Sequence, residues 1–285
     1  MSQISRLRRH RGMRDNNLTI AVAGGTGTLG RRVTEELRSR GHDVRVLSRR
    51  SPDYRVDLTT GDGLAAALAG CDVVIDASND ASKHAARTLV EGSRRLLAAG
   101  QAAGVRHHVC VSIVGCDQVP MGYFRAKLDQ ERVVERGPVP WSLVRATQFH
   151  ELVAATLAPA ARWRVLPVPR AALQPVACAE VARAVADVAE GPAHLDRLEV
   201  AGPEIADARD LARTWRSVTG RRALLLGVPL PGRLGRALRA GALTTGRPDV
   251  SGTTGFAAWL EATQREAVQV EAVRGEASRP EAARR

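Results

Sequence analysis

The chain has few aromatic residues and almost no lysine. Phe, Trp and Tyr together make up 3% of its 285 residues, and only two of its 42 basic residues are lysines, Lys83 and Lys127. Proteins that hold single-stranded nucleic acid stack the bases on aromatic side chains placed among basic ones. The net charge of +12 therefore lacks the aromatic platforms that this role needs. Nucleic-acid binding is not expected.

Cysteines and long hydrophobic runs are also scarce. The four cysteines, Cys71, Cys110, Cys116 and Cys178, form no C-x-x-C pair and have no metal-ligand spacing with histidine, so we predict reduced structural thiols and no metal site. No apolar run reaches the roughly 18 residues of a membrane span, and no signal-type apolar segment follows the N terminus. The sequence predicts a soluble, cytoplasmic protein without a membrane partner.

Both ends of the chain have the composition of unfolded segments. Residues 1–17 contain five arginines and one aspartate, and residues 263–285 are charged and rich in alanine. Such segments have too little apolar surface to form a core. We predict a disordered basic extension at 1–17 and a disordered tail at 263–285.

Strand-like and helix-like segments alternate through the first half of the chain. This alternation is typical of a doubly wound parallel sheet, the Rossmann type of α/β fold, which we assign to residues 18–150. The strand-like segments are 18–23, 42–48, a run ending near Asp57, 73–77, 108–112 and 141–145.

The pattern becomes less regular after Arg145, where four prolines interrupt the chain: Pro159, Pro167, Pro169 and Pro175. The sheet is expected to have ended, or nearly so, by the helix at 178–189. A strand at 197–201 and helices at 178–189, 207–218 and 232–240 then predict a small C-terminal substrate lobe at 151–262. Such a lobe would cover the carboxyl ends of the strands, where ligands of these sheets bind.

A glycine-rich turn joins the first strand to the first helix. Glycine at these positions allows a tight turn and a close approach of the backbone to a pyrophosphate, and the helix that follows presents free N–H groups. The strand–turn–helix context makes a plain glycine turn the weaker interpretation. We predict a dinucleotide site at Gly24, Gly25, Thr26, Gly27, Thr28, Leu29 and Gly30.

The residues after the second strand indicate which dinucleotide is bound. An NAD site usually has an acidic residue there to bind the ribose 2′-hydroxyl, whereas this chain has Arg49 and Arg50. Guanidinium groups suit a 2′-phosphate. The sequence favours NADP(H), with Arg49 as the main contact and NAD(H) still possible. A solvated Arg-Arg pair on the surface is the alternative.

Tyr123 and Lys127 are four residues apart, a spacing that places both on one face of a helix. A nearby ammonium would lower the tyrosine pKa, so that the phenol could exchange a proton with substrate near neutral pH. We predict that this pair is catalytic. An exposed tyrosine and a solvated lysine on a surface helix are the alternative.

These motifs, in this order, resemble the short-chain dehydrogenase/reductase superfamily, and most closely its atypical NmrA-like branch. The resemblance covers residues 18–262. It rests on the glycine loop, Arg49, Val56-Asp57-Leu58-Thr59, Val111-Ser112-Ile113-Val114-Gly115, the Tyr123-x-x-x-Lys127 motif, the segments 145–150 and 174–176, and the C-terminal segment 254–260.

The resemblance implies further roles. Asp57 would contact the adenine amino group, and Ala77, Ser78 and Asn79 would line the cofactor. Ser112 would orient the substrate oxygen, although a serine that only ends the strand is equally compatible with the sequence. The implied reaction is hydride transfer between nicotinamide and a carbonyl carbon, with Lys127 also holding the ribose.

Three functions share this cofactor loop. The first is a reductase of a small carbonyl or quinone, which the retained Tyr123 and Lys127 favour. The second is a non-catalytic NADP(H) sensor that binds a regulator protein, and the third is a nucleotide-sugar epimerase or dehydratase. A hydrolase is unexpected because the chain has no G-x-S-x-G motif. Pocket shape would depend on residues such as His150, Trp163, Leu226 and Leu243.

Overall fold

The computed structural model describes residues 17–119 and 121–277, with side chains as far as residue 270. All but the last residue of the predicted N-terminal extension, and residues 278–285 of the predicted tail, lie outside the described residues. The strands are β1 Thr19–Ala23, β2 Asp43–Ser48, β3 Tyr54–Arg55, β4 Val73–Asp76, β5 His107–Ile113, β6 Trp141–Ala146, β7 Val165–Pro169, β8 Ala172–Leu173, β9 Arg197–Ala201, β10 Ala206–Asp207, β11 Leu224–Val228 and β12 Val250–Ser251.

The helices alternate with these strands. They are α1 Thr28–Ser39, α2 Leu64–Leu68, α3 Gly92–Ala102, α4 Gly122–Glu135, α5 His150–Ala161, α6 Cys178–Glu190, α7 Ala208–Thr219, α8 Gly232–Arg239 and α9 Phe256–Ala277. A single stretch of π-helix, Ala86–Glu91, leads directly into α3.

Eight strands form one parallel sheet in the order β12-β9-β6-β5-β4-β1-β2-β3. The chain runs outward from β1 to β3, then returns and continues from β4 on the other side. Strand order therefore reverses between β1 and β4, and their carboxyl ends open into a crevice. The predicted doubly wound α/β fold is confirmed.

Strand β1 shows how the sheet is covered on both faces. Ile20 and Val22 pack with α1 and α6 on one side, while Ala21 and Ala23 pack with α2 and α3 on the other. Successive side chains of a strand point to opposite faces, so a strand buried on both faces has to be apolar throughout. This is why the strands of the sheet appear in the sequence as short, continuous apolar runs.

The expectation that the sheet has ended, or nearly so, by the helix at 178–189 was wrong. Strand β9 pairs with β6, Ala146 lying opposite Val200, and β12 pairs with β9. Helix α6 packs on α1, and Arg40 of α1 forms ion pairs with Asp187 at 2.7 Å and Glu190 at 3.0 Å. The segment 151–262 therefore supplies two strands and one covering helix to the central sheet.

The remaining C-terminal elements surround a core of their own. This core joins α5, β7, α7 and the start of α9 through residues such as Leu157, Leu166, Trp215 and Leu260. Prolines were expected to break the chain here, yet α5 includes Pro159 in its last turn. A proline there removes only one hydrogen bond near the helix end, and the burial of Leu157 and Ala161 compensates.

Helix α9 corrects the prediction of disorder from residue 263, because it continues to Ala277. Phe256 and Leu260 are buried near its start, whereas Val268 and Val270 are exposed. None of the described helices combines the length and apolar character needed to cross a bilayer.

Candidate active site

A cleft of about 1060 Å³ lies at the carboxyl ends of the central strands. Its walls come from the loops after β1, β2 and β4, the end of β5, the start of α4, and the segment from the end of β6 into α5. The cleft collects nearly all of the predicted site residues: Gly24, Thr26, Gly27, Thr28, Leu29, Arg49, Arg50, Asp57, Ala77, Ser78, Asn79, Ser112, Tyr123 and Lys127.

Gly25 and Gly30, the two predicted residues outside this lining, are buried in the packing behind the loop. A Cβ at Gly30 would lie 2.2 Å from the Gly24 carbonyl oxygen, so only glycine lets α1 approach the turn this closely. Gly24 has φ +74° and faces the Ala77 backbone, where a Cβ would lie 2.7 Å from the Ala77 carbonyl oxygen. These positions need glycine for sterics, while Thr26 to Leu29 face the cleft.

The first turn of α1 is suited to a phosphate. Gly27 occupies the N-cap position without a side-chain cap, and the first turn contains no acidic residue. Uncapped N–H groups and the positive end of the helix dipole therefore face the cleft. A pyrophosphate fits this cradle, where a side chain at Gly27 would crowd the Gly24 carbonyl oxygen at 3.1 Å.

Arginines from two separate segments surround Asp57. The Asp57 carboxylate accepts hydrogen bonds from the Thr59 hydroxyl at 2.7 Å and the Thr59 N–H at 2.8 Å. These bonds, with smaller contributions from Arg49 and Arg87, hold its pKa below the ordinary value. Arg87 lies in the π-helical stretch after β4 and also lines the cleft. No sequence motif indicated Arg87, because its position near Asp57 depends on β2 and β4 flanking β1.

The Tyr123 side chain lines the cleft, and its hydroxyl is a hydrogen-bond donor there. Its hydroxyl donates a 2.7 Å hydrogen bond to the Asn79 side-chain oxygen, and its ring meets Phe124 edge-on with 5.4 Å between centroids. Burial raises the Tyr123 pKa above its ordinary value, and the bond to Asn79 only partly opposes this. The phenol is therefore protonated at neutral pH.

The prediction that Lys127 lowers the Tyr123 pKa is corrected by the structure. The Lys127 side chain is buried, and its ammonium donates to the Val111 carbonyl at 3.1 Å, the Ser78 carbonyl at 3.4 Å and the Gln130 side-chain oxygen at 3.0 Å. Burial, rather than a nearby cation, controls the Tyr123 pKa, and its direction is opposite to the predicted one. Lys127 instead links the loop after β4 to strand β5.

A buried polar network continues behind Lys127. The Gln130 amide nitrogen donates to the Asp76 carboxylate at 3.1 Å and to the Ser93 hydroxyl at 2.9 Å, and Ser93 donates to Asp76 at 2.6 Å. Gln130 thus links a buried ammonium to a buried carboxylate, which avoids an uncompensated charge in the core. Sequence reasoning missed Asp76 and Gln130, although a carboxylate ending an apolar strand was visible.

Ser112 is buried on β5, and its hydroxyl has no hydrogen-bond partner among the described residues. It lies close enough to the Cys116 sulfur to oppose, in part, the rise of the Cys116 pKa. A free hydroxyl that lines the cleft can donate to a ligand oxygen. Cys116 is buried against Glu131. Desolvation by burial, together with the nearby Glu131 carboxylate, raises the pKa of the Cys116 thiol to about 12. Cys116 is therefore a free, buried thiol, as predicted.

Of the four residues expected to shape the pocket, Leu243 lines the cleft and the other three do not. His150 is buried under Phe256 and Trp259, with one ring nitrogen 2.9 Å from the Thr254 carbonyl oxygen. Trp163 and Leu226 are exposed elsewhere. The wall next to Tyr123 is instead built by Phe124, Gln148, Phe149, Glu151, Leu152, Ala155 and Leu243.

Comparison with known proteins confirms the predicted class of cofactor. A family model described as NAD(P)H-binding matches residues 24–192. A Streptomyces griseus reductase, the (4-alkanoyl-5-oxo-2,5-dihydrofuran-3-yl)methyl phosphate reductase, is 33% identical over 220 residues, covering 71% of this chain and 74% of the relative.

Solved structures share the fold at lower identity. An NADPH-dependent quinone oxidoreductase from Escherichia coli, complexed with NADPH, has a TM-score of 0.72 at 19% identity and covers 86% of this chain and 99% of its own. A nucleoside-diphosphate-sugar epimerase from Staphylococcus aureus has a TM-score of 0.72 at 16% identity, covering 86% and 100%. A short-chain dehydrogenase/reductase superfamily protein from Agrobacterium tumefaciens with bound NAD has a TM-score of 0.69 at 19% identity, covering 90% and 99%. The chain therefore belongs to the NAD(P)H-binding family that this model describes, and the solved structures share its fold.

Proposed function

We propose that the protein is an NADP(H)-dependent reductase of a small carbonyl or quinone compound. The observation that carries this proposal is a protonated tyrosine hydroxyl in the same cleft as the glycine loop and Ser112. A sensor that only binds the dinucleotide has no need of an acid there. The relatives that are named as reductases support the same interpretation.

The side chains divide the work between them. The loop Gly24–Gly30 and the start of α1 would hold the pyrophosphate, and a bound reduced nicotinamide would supply the hydride. Ser112 would donate a hydrogen bond to the substrate oxygen and Tyr123 would donate the proton, leaving a phenolate that solvent reprotonates. Lys127 would be a positioning residue. Its ammonium donates to three protein oxygens and so links the segments that carry Asn79 and Ser112.

The proposal is tested by mixing NADPH-loaded protein with a panel of quinones, aldehydes and ketones while nicotinamide absorbance is followed, and by product analysis after incubation with nucleotide sugars. We expect stoichiometric loss of NADPH and formation of the alcohol or hydroquinone. Tight NADPH binding without oxidation by any member of the panel would favour the non-catalytic sensor. Isomerisation of a nucleotide sugar without net NADPH loss would favour the epimerase.

We further propose that Arg49 and Arg87 together recognise the 2′-phosphate of NADP(H). Both line the cleft near Asp57, on the side where the second strand ends. A charge-assisted hydrogen bond contributes roughly 1.5–3 kcal/mol. Arg49→Ser should therefore raise the Kd for NADPH by about ten- to a hundredfold and leave the Kd for NADH within about twofold. Isothermal titration with both dinucleotides measures this selectivity.

Arg87→Ser should likewise raise the Kd for NADPH relative to the Kd for NADH, whereas Arg213→Ser should leave this ratio unchanged. Arg213 is an exposed arginine on α7 that pairs with Asp210. Equal weakening of NADPH and NADH binding in the Arg49 variant would mean that the guanidinium does not contact the 2′-phosphate.

A further inference from the structure

The charged side chains of the cleft are unevenly distributed. Its arginines and histidine come from the segments after β2 and β4, namely Arg49, Arg50, His84 and Arg87. Its remaining cation, Lys127, already donates to three protein oxygens. Positive charge available to a ligand is therefore concentrated on the side of the cleft that carries Asp57.

Another part of the lining, contributed by α4, the start of α5 and the segment before β12, is mainly apolar, and we call it the lobe wall. It consists of Phe124, Phe149, Glu151, Leu152, Ala155 and Leu243. Phe124 and Leu243 belong to one packed cluster, and Gln148 joins this cluster to α5 by donating to the Leu243 carbonyl oxygen at 2.8 Å. Since Phe124 follows Tyr123 directly in sequence and contacts its ring, the lobe wall begins at the proposed proton donor.

Leu152 shows what this wall can bind. It lies in the first turn of α5 and is 57% exposed although it lines the cleft. A large apolar side chain left open inside a cleft gains free energy when an apolar ligand covers it. The wall therefore favours an alkyl or aryl group close to the carbonyl that reacts.

Glu151 shows what the wall would reject. It is the one charged side chain of the lobe wall as the structure describes it, and its carboxylate accepts a hydrogen bond from the Cys178 N–H at 3.3 Å. A phosphate ester placed here would face like charge without a guanidinium partner, in a chain with forty arginines.

We propose that the lobe wall binds an uncharged carbonyl compound with an apolar arm and discriminates against phosphate esters. This inference rests on the proposed reductase function, and it sets the substrate apart from the phosphate monoester named for the Streptomyces griseus relative.

The experiment uses a matched pair: an alkanoyl butenolide that carries a free hydroxymethyl group, and its phosphate monoester. Binding of each to the full chain loaded with NADP⁺ is measured by calorimetry, alongside NADPH oxidation. We expect the alcohol to bind at least about tenfold more tightly, because the phosphate adds like charge next to Glu151. Its affinity should rise by up to about fourfold for each methylene added to the acyl chain.

Variants locate the effect on the wall. Leu152→Asp should weaken binding of the alcohol about tenfold or more, whereas Leu226→Asp should leave it unchanged, because Leu226 is similarly exposed at 52% but lies outside the cleft. Glu151→Gln should reduce the difference in affinity between the alcohol and its phosphate monoester.

The outcomes separate this inference from the reductase proposal. Preferential binding of the alcohol without NADPH oxidation would retain the lobe wall as an apolar site and count against the reductase. Tighter binding of the phosphate, equal binding of the two compounds, or binding of neither would overturn the inference whether or not NADPH is oxidised.

Discussion

Tyr123→Phe is expected to slow NADPH oxidation by a carbonyl or quinone substrate about 10²- to 10⁴-fold, the range that general acid catalysis contributes. The Kd for NADPH should change by less than about twofold, because the glycine loop and the arginines remain intact. Phenylalanine keeps the edge-on contact with Phe124 and loses only the hydroxyl that bonds Asn79. Single-turnover absorbance at saturating substrate measures the hydride step directly.

Tyr54→Phe provides the matched control, since it removes the only other tyrosine hydroxyl of the chain. Tyr54 packs under Arg45, 5.3 Å from the guanidinium to the ring centroid, and lies outside the cleft. Its substitution should leave the rate unchanged. Full activity in Tyr123→Phe would remove Tyr123 as the acid and point to Ser112 or to a solvent proton.

The pH profile distinguishes a lost acid from a disturbed pocket. An acid acts only while it is protonated, and burial raises the Tyr123 pKa above the ordinary tyrosine value near 10. The rate of reduction should therefore be constant through neutral pH and decline only above the ordinary tyrosine range. A decline that begins near pH 7 would mean that a cation lowers the Tyr123 pKa once the substrate complex has formed.

Glu131→Gln is expected to lower the free energy of unfolding by about 3–5 kcal/mol, the cost of removing one member of a buried ion pair. Glu131 is fully buried on α4, and Arg145 of β6 donates two hydrogen bonds to its carboxylate, at 2.9 Å and 2.6 Å. This pair attaches α4, which carries Tyr123 and Lys127, to the central sheet. Urea unfolding followed by circular dichroism measures the loss.

Asp129→Asn is the matched control on the same helix. Asp129 pairs with Arg132 at 2.9 Å, but both side chains are largely exposed, so the expected loss is below about 1 kcal/mol. If both variants lose the same small free energy, the buried pair does not anchor α4. A stable Glu131 variant with reduced turnover would instead place its role in the alignment of Tyr123.

Short sequence patterns predicted those features of the site that depend on residues close together in the chain. The loop Gly24–Gly30, the pair Arg49 and Arg50, and the Tyr123–Lys127 spacing all depend on strand ends, turns and helical periodicity, which a short segment specifies by itself. The alternation of apolar strands with helices likewise predicted the doubly wound sheet, because strands buried on both faces must be apolar. Because the carboxyl ends of parallel strands meet at one edge of the sheet, almost every predicted site residue lies in one cleft.

Tertiary structure decided whatever depends on residues distant in the chain. Strand β9 joins the sheet through its partner β6, more than fifty positions earlier, so its place could not be read from its own sequence. The Lys127 ammonium donates to the Val111 carbonyl oxygen of strand β5 and to the Ser78 carbonyl oxygen of the loop after β4, which is why spacing alone predicted the wrong direction for the Tyr123 pKa. Arg87 near Asp57 and the bond from Tyr123 to Asn79 arise in the same way. Sequence periodicity determines which face a side chain occupies, but the electrostatic surroundings of that face are supplied by segments that only the folded chain brings together.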